Sequence, residues 1–338
     1  MVMNSDGVRP TPAEGDILID DHYARGLLPR RAFGAHKWGV GGVVIVGGAP
    51  GYYGAPMLSA MAAQRAGAGV VSLAVPRGLV GSIAVAVPEA SFIPLAETES
   101  SHGARRAAEE IGSKLEQAQA ILIGPGLGQD EASDGLMAAL FGAPSAMSMI
   151  GFGSASLAST SENSVGLLAE SEKPICIDAD GLNWLAKQND WPARLPKGRC
   201  VLTPHVGEFS RLTGKSTEEI TEDPLNHVRA FAAEWRQTVV LKYGYTVASD
   251  GTKAVIAADA PSSLATAGSG DVLAGTISAF LAQGLALLDA AALAIFAGCA
   301  AARRVEERTG TLGLVASDLP LAIAAELAVL ERGGKAES

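Results

Sequence analysis

Clustered positive charge, cysteine and aromatic rings are scarce in this chain of 338 residues, and each shortage narrows what the protein can be. Lys and Arg number 26 against 36 Asp and Glu, a net charge of −10, and no basic run occurs anywhere. A nucleic-acid surface needs clustered cations, so no nucleic-acid partner is expected. The three cysteines, Cys176, Cys200 and Cys299, are far apart and lack C-x-x-C spacing. They sit in or beside apolar stretches and read as buried thiols in a reducing compartment, not as a disulfide or zinc framework. The first twenty residues contain Asp6, Glu14, Asp16 and Asp20 but no apolar core of a secretory signal, so a cytoplasmic location is expected. Residues 272–288 carry no charge and 290–302 are again apolar. That stretch is rich in Ala and Gly, is broken at Gly284 and has no flanking aromatic belts, so it reads as two buried helices and no membrane contact is expected.

What the chain does have is 48% hydrophobic residues and 40 glycines, the composition of a compact, turn-rich protein. Short apolar runs at 43–46, 69–75, 120–123, 175–178 and 200–203 each lead into a polar or glycine-rich turn. The first is followed by a helix that opens near Ala55 with Pro56 in its first turn. Runs of this kind suit parallel strands covered on both faces. Further on, strands are expected at 238–242, 246–249 and 253–257, with Asp250-Gly251 as a hairpin signal between the last two. Three helices follow, at 271–283, about 289–307 and 317–330, the last with Ser317 and Asp318 as caps and Pro320 in its first turn. The reading is one α/β domain over 21–332 between a polar, flexible tail at 1–20 and a short tail at 333–338. Residues 141–166, rich in Ser, Ala, Gly and Met, read as a surface insertion. No internal repeat of solenoid length is present.

Chemistry-bearing residues gather at the strand ends, where open α/β sheets bind ligands. Gly47-Gly48-Ala49-Pro50-Gly51 follows a strand but lacks both the G-K-[ST] of a Walker loop and a G-x-G-x-x-G fingerprint. Gly124-Pro125-Gly126-Leu127-Gly128 either lets the backbone crowd a ligand or simply makes a tight turn. Asp178 and Asp180, with Asn183, could hold the water of a Mg²⁺ ion or fix a loop. His205 is either a ligand contact or a cap, and without an H-E-x-x-H spacing no zinc site is expected. Lys242-Tyr243-Gly244-Tyr245-Thr246 offers a lysine, a bend and a hydroxyl to a nucleotide phosphate, or is only a strand-turn-strand. Gly268-Ser269-Gly270-Asp271 opens a helix-periodic run. Uncapped N–H groups there could take a phosphoryl group, with Asp271 placed to accept the acceptor's proton, although an ordinary N-cap fits the same letters.

Taken together and in this order, G-G-A-P-G-Y-Y-G-A-P, G-P-G-L-G, D-A-D-G-L-N, T-P-H-V-G-E, L-K-Y-G-Y-T and A-T-A-G-S-G-D-V-L-A-G resemble the ADP-dependent NAD(P)H-hydrate dehydratases of the ribokinase-like superfamily. The resemblance covers about residues 23–330. G-S-G-D alone indicates only the superfamily, whereas T-P-H-x-G-E with the early Y-x-G-A-P is more selective. Two departures stand out: Ala260-Pro261-Ser262-Ser263-Leu264-Ala265 replaces a more glycine-rich G-N-P-G-M-A, and Tyr243 replaces a glycine.

The resemblance implies a ribokinase-like three-layer α/β/α fold with a mostly parallel central sheet. It implies repair of NADHX and NADPHX, in which a hydroxyl added at C6 of the reduced ring is phosphorylated from ADP or ATP, with Mg²⁺, and then leaves as phosphate. By the same resemblance, Ala55, Gly126, His205 and Asp271 contact the hydrated nicotinamide nucleotide, with Asp271 as general base. Lys242, Tyr243, Gly244, Tyr245, Thr246 and Gly270 bind the adenine nucleotide, Gly268, Ser269 and Gly270 form the phosphate turn, and Glu208 supports the Mg²⁺ water shell. Since helix N-termini stabilise carboxylates, Asp271 is expected to be a weak base at rest. The resemblance further implies action on the S epimer alone, reliance on a separate epimerase, and a homo-oligomer, with a tetramer among the options. The alternatives are a vitamin-precursor kinase of the hydroxyethylthiazole or hydroxymethylpyrimidine type, which would leave a stable phosphorylated product, and a nucleotide-binding regulator that has lost catalysis.

Overall fold

Ten strands join one sheet in the computed structural model, which describes residues 12–96, 100–142, 166–257 and 260–333. They are β1 (Ile17–Leu18), β2 (Gly42–Val46), β3 (Val70–Pro76), β4 (Ser91–Leu95), β5 (Ala120–Ile123), β6 (Ile175–Ile177), β7 (Cys200–Leu202), β8 (Thr238–Leu241), β9 (Thr246–Ser249) and β10 (Ala254–Ala257). Their spatial order is β1-β10-β9-β8-β7-β6-β5-β2-β3-β4. Every neighbouring pair is parallel except the two that involve β9, so β9 alone runs against the rest. The expected mostly parallel three-layer architecture is present.

The apolar runs are continuous because successive side chains feed two different cores. Val44, Val46, Ile121, Ile123, Ile175 and Ile177 enter a core on one face with the helices Ser101–Leu115, Glu131–Phe141 and Pro224–Trp235. Val43, Ile45, Ala120, Leu122, Cys176 and Val201 enter the other, with the helices Gly54–Arg65, Ser269–Ala282 and Leu287–Thr309. Each fully buried Val or Ile contributes about 1.5–3 kcal/mol, so alternation on both faces makes the central strands the most costly part to disturb. The apolar 272–302 stretch forms two helices on the second face, and among the described residues no helix is long and apolar enough to cross a membrane.

Three expectations are revised. Residues 12–20 are not a free tail: Ile17–Leu18 pairs with β10, and Asp16, whose side chain is 1% exposed, lies 2.7 Å from Arg229 Nη2. The Asp16 carboxylate also accepts from the backbone N–H groups of Ala13 and Ala254. Burial pushes its pKa upward, but the Arg229 hydrogen bond and these two donors outweigh burial and hold it below the ordinary carboxylate range. Stability from this group is therefore complete above its unfolded pKa and is lost as pH falls through the lower folded value. Asp16→Asn should cost about 1–3 kcal/mol at pH 7, and its melting temperature should converge on that of the wild type as the solution is acidified. Second, β4 is an unpredicted strand. It carries Pro94, which a sheet tolerates at its edge, and β4 is the last strand of the order. Third, the helices start earlier than the sequence suggests, at Ser269 and Leu287, since their first turns lack capping side chains that would mark them. Of the remaining tail and insertion residues, 1–11, 143–165 and 334–338 lie outside the described residues. The two ends of the insertion meet, because a Cβ on Gly166 would be 2.3 Å from Gly142 N, and Leu168 N donates to Leu140 O at 2.8 Å.

Two helices of the second face touch almost without side chains between them. A Cβ at Gly275 would lie 2.2 Å from Ser59 O, while Ser59 Oγ donates to Asp271 O at 3.0 Å. Gly275→Ala should separate the helices and destabilise the fold by about 1–3 kcal/mol, read as a lower denaturation midpoint.

Candidate active site

The sheet order turns at β2 and β5: from β2 the chain builds outward through β3 and β4, then returns to β5 and builds the other way. Loops leaving the C-terminal ends of two such strands diverge and leave a crevice. Glycines let these loops meet at its floor. Gly48 N donates to Pro125 O at 3.0 Å, and a Cβ on Gly47 would sit 2.2 Å from that oxygen. Gly126 has φ +59°, and a Cβ there would be 2.8 Å from Tyr52 O and 3.0 Å from the Ala55 Cβ. Ala55 and Gly126, assigned to one ligand from sequence, are thus neighbours. A cavity of about 400 Å³ opens beside this crossing, lined in part by Gly48, Pro76, Leu95, Leu127 and Leu136.

The ends of β6, β7 and β8 deliver a charged cluster. Asp178 follows β6 and is 1% exposed; its Oδ1 accepts from Lys242 Nζ at 2.7 Å and from Thr203 Oγ1 at 2.8 Å. Lys242 follows β8 and lies 4.0 Å from Glu208 Oε2 as well. Burial opposes its ammonium, yet Asp178, Glu208 and Asp271 outweigh that cost and raise its pKa. Thr203-Pro204-His205 follows β7 and starts the helix Val206–Thr213 through a capping box. His205 Nδ1 accepts from the N–H groups of Gly207 and Glu208, at 3.0 and 3.2 Å, and Glu208 Oε2 accepts from His205 N at 2.9 Å. The capping reading of His205 is realised, and its side chain remains 54% exposed. Burial, then Lys242 and Arg211, lower its pKa, so it is neutral at pH 7 with its proton on Nε2. Glu208 is buried, and burial pushes its pKa to about 7.

Asp271 comes from the opposite layer, in the first turn of the helix Ser269–Ala282. Gly268, at φ +91°, occupies the N-cap without a side-chain cap, and Gly270 brings the turn close to the cluster: a Cβ there would be 3.2 Å from Lys242 Nζ. The Ser269 hydroxyl lies 2.7 Å from Leu264 O and 3.0 Å from Thr266 O, and its backbone N–H donates to Thr266 O at 3.4 Å, so both groups tie the turn to the preceding loop. The expectation of a weak base at rest is overturned. Burial first, then Asp178, Asp180 and Glu208, raise the Asp271 pKa to about 7, against a smaller opposing effect of Lys242. Burial, reinforced by several carboxylates around one lysine, sets this direction. Tyr243 is 42% exposed and meets Tyr245 edge to face, with ring centroids 5.9 Å apart.

A partly buried carboxyl poised near pH 7, a lysine and an uncapped helix start thus meet at one end of the sheet. The family described as NAD(P)H-hydrate dehydratase matches this chain over residues 43–324. The chain belongs to that family. It is 30% identical over 311 residues to the ADP-dependent (S)-NAD(P)H-hydrate dehydratase of Xanthomonas campestris pv. campestris, covering 90% of this chain and 94% of that one. It is 35% identical over 304 residues to the bifunctional NAD(P)H-hydrate repair enzyme Nnr of Moorella thermoacetica, covering 89% of this chain and 52% of that protein. The chain spans about half the length of the bifunctional relatives it matches. The solved ADP/ATP-dependent NAD(P)H-hydrate dehydratase from Bacillus subtilis, co-crystallised with ATP/Mg²⁺, superposes with TM-score 0.72 at 23% identity over 96% of this chain and all of that one. A ribokinase-like superfamily protein from Enterococcus faecalis does so with TM-score 0.75 at 21% identity over 95% of this chain and 98% of that one, so the fold is ribokinase-like.

Within this dehydratase-family chain, sequence reading offered Asp178 and Asp180 as a pair that holds Mg²⁺ water or fixes a loop, and it missed Thr203 and Ser59 as supports. The signal for Asp178 was its place at a strand end; what was hidden is that Asp180 parts from it. Asp180 Oδ2 accepts from Gly128 N at 2.9 Å, Oδ1 lies 3.1 Å from Gln129 Nε2, and Ala179 between the two acids takes φ +49° to send them apart. Among the described residues no group of three His, Cys, Asp or Glu side chains could hold a metal ion, so these residues do not form a resident metal cage. Glu208, expected in the water shell of Mg²⁺, already shares its carboxylate with the capping box.

Proposed function

We propose that this chain dehydrates the S epimers of NADHX and NADPHX in a reaction driven by ADP or ATP. The observation that carries the reading is Asp271: a carboxyl with pKa near 7, on the glycine turn beside the Lys242 ammonium, in a chain of this family. A base of that pKa is suited to take a proton near neutral pH, and the uncapped N–H groups with Lys242 are suited to a phosphoryl group. In the proposed sequence the C6 hydroxyl oxygen attacks the terminal phosphorus of the nucleotide as Asp271 receives its proton. AMP leaves when ADP is the donor. The ring nitrogen then expels phosphate from C6, and loss of a proton from C5 restores the reduced ring. Phosphate is a far better leaving group than hydroxide, which is why a kinase fold suits a dehydration. Ala55, Gly126 and His205 would orient the nicotinamide nucleotide, and 242–246 with Gly270 the adenine nucleotide. Mg²⁺ would arrive on the nucleotide's phosphates and screen their charge against the acids here.

The reading includes a cytoplasmic setting, supported by three buried cysteines, and a separate epimerase to supply the S form. It also includes self-association through the C-terminal helix Leu319–Glu331, where Leu321 is 62% exposed. The test is absorbance at the reduced-nicotinamide band with an NADHX epimer mixture and Mg²⁺, adding ADP, ATP or neither. A nucleotide-dependent rise that stops when the S epimer is consumed is the expected result. A phosphorylated product that accumulates without any rise would replace this reading with the vitamin-kinase type, and binding without turnover with the regulator.

A further inference from the structure

Asp178 is held more tightly than a simple counter-ion needs to be. Its side chain is 2% exposed, and one oxygen, Oδ1, receives both Lys242 Nζ and the hydroxyl of Thr203, itself fully buried. Its main chain is equally constrained. A Cβ on Gly124 would lie 1.8 Å from Asp178 O, so those two backbones lie in direct contact. The next residue, Ala179, occupies φ +49°, ψ −118°, a conformation that a side-chain-bearing residue adopts only where its surroundings impose it. The strain turns Asp178 inward while Asp180 goes to Gly128 N.

That rigidity has a use for Lys242. Its ammonium has two carboxylates to choose between, Asp178 at 2.7 Å and Glu208 at 4.0 Å. On Asp178 it stands 3.2 Å from the point where a Cβ of Gly270 would be, and Asp178 Oδ2 is 3.8 Å from the same point. A lysine has four rotatable bonds and, without a fixed partner, would not hold one position. Preorganised charge is worth most where it needs no rearrangement as the reaction proceeds.

We infer that Asp178, braced by Thr203 and by the strained Ala179, is a positioning residue that fixes the Lys242 ammonium at the Gly268–Gly270 turn before the nucleotide arrives. The inference rests on the nucleotide-dependent reading and assigns the D-A-D motif a part in it. Asp178 touches no reacting atom; it acts through Lys242.

The experiment is a double-mutant cycle on the full chain, with Asp178→Asn, Lys242→Met and both together. It reads kcat/KM for ADP and, separately, binding of Mg·ADP by calorimetry. Asp178→Asn should lower kcat/KM about 30-fold or more and should cost almost nothing further in the Lys242→Met background. Equal losses in both backgrounds would overturn the inference, because a merely structural role does not depend on the lysine. Thr203→Val and Thr203→Ser decide the matter if Asp178→Asn does not fold. The valine variant should lose about tenfold and the serine variant, which keeps the hydroxyl, should recover to within about threefold of wild type. A folded Thr203→Val protein with wild-type kinetics and binding overturns it. If the wild-type chain dehydrates nothing but binds Mg·ADP, the cycle on binding still decides for or against Asp178, while the proposed function alone falls. Wild-type protein that binds no Mg·ADP removes both.

Discussion

Asp271→Asn is expected to lower kcat by about three orders of magnitude or more while leaving Mg·ADP affinity unchanged or slightly tighter. The substitution keeps the shape of the side chain and its place in the first turn of the helix Ser269–Ala282, so what it removes is the proposed proton acceptor. Because burial and the neighbouring acids bring the Asp271 pKa to about 7, wild-type turnover should fall as pH drops below about 7, where the carboxyl is already protonated. The same arrangement has a cost in stability. A carboxyl whose folded pKa lies above its unfolded value binds protons more tightly when folded. Its ionisation therefore destabilises the fold, by nothing below the unfolded pKa and fully once pH has passed the folded one. Asp271→Asn should accordingly melt higher than wild type at pH 8, with the gap closing as pH is lowered toward the ordinary carboxylate range. A variant that is inactive and more stable, with intact nucleotide binding, is the signature of a strained functional group. Near-normal turnover would remove Asp271 from the chemistry.

Lys242→Met is the second large effect, expected to reduce kcat/KM for the nucleotide by about a hundredfold or more. Here two consequences arise together. The charge proposed to meet the phosphoryl group is lost, and Asp178 and Glu208 lose the cation that lies 2.7 and 4.0 Å from them. Breaking a buried pair from one side leaves an uncompensated charge, so the variant should also be markedly destabilised, by about 3–5 kcal/mol for a fully buried pair and less here, where the lysine side chain is 21% exposed. Lys242 also restrains the rise of the Asp271 pKa. Whatever turnover remains should therefore show its acid limb displaced to higher pH than in wild type. A variant of unchanged pH profile and unchanged ADP kinetics would show that the ammonium does not face the reacting groups.

Much of the fold could be read directly because the central strands are covered twice. Each of β2, β5, β6 and β7 is an unbroken apolar run ending in a glycine, an acid or a threonine, and both signals come from the residues themselves. The strands that escaped notice lie at the two edges. Ile17–Leu18 is too short to carry a pattern, and Ser91–Leu95 contains a proline, so only pairing with β10 and β3 identifies them. The site followed the same division. Its motifs were legible because they occupy turns with unusual residue types, and Ala55 with Gly126, and Lys242 with Gly270, proved to be spatial neighbours.

By itself, then, the sequence determined a doubly covered parallel sheet, the glycine-rich and polar turns at its strand ends, and the family whose motifs those turns match. Tertiary structure decided which charges confront each other. From the letters alone, Asp271 is a capped carboxylate with a low pKa, since the helix start is the only partner visible along the chain. In three dimensions burial, and then Asp178, Asp180 and Glu208, all distant in sequence, raise its pKa to about 7. Likewise D-A-D is one acidic motif in sequence and two unrelated side chains in space, one on Lys242 and one on Gly128, separated by the backbone of Ala179. Periodicity is local and can be read along a chain, whereas desolvation and Coulomb interactions depend on distances that exist only after folding.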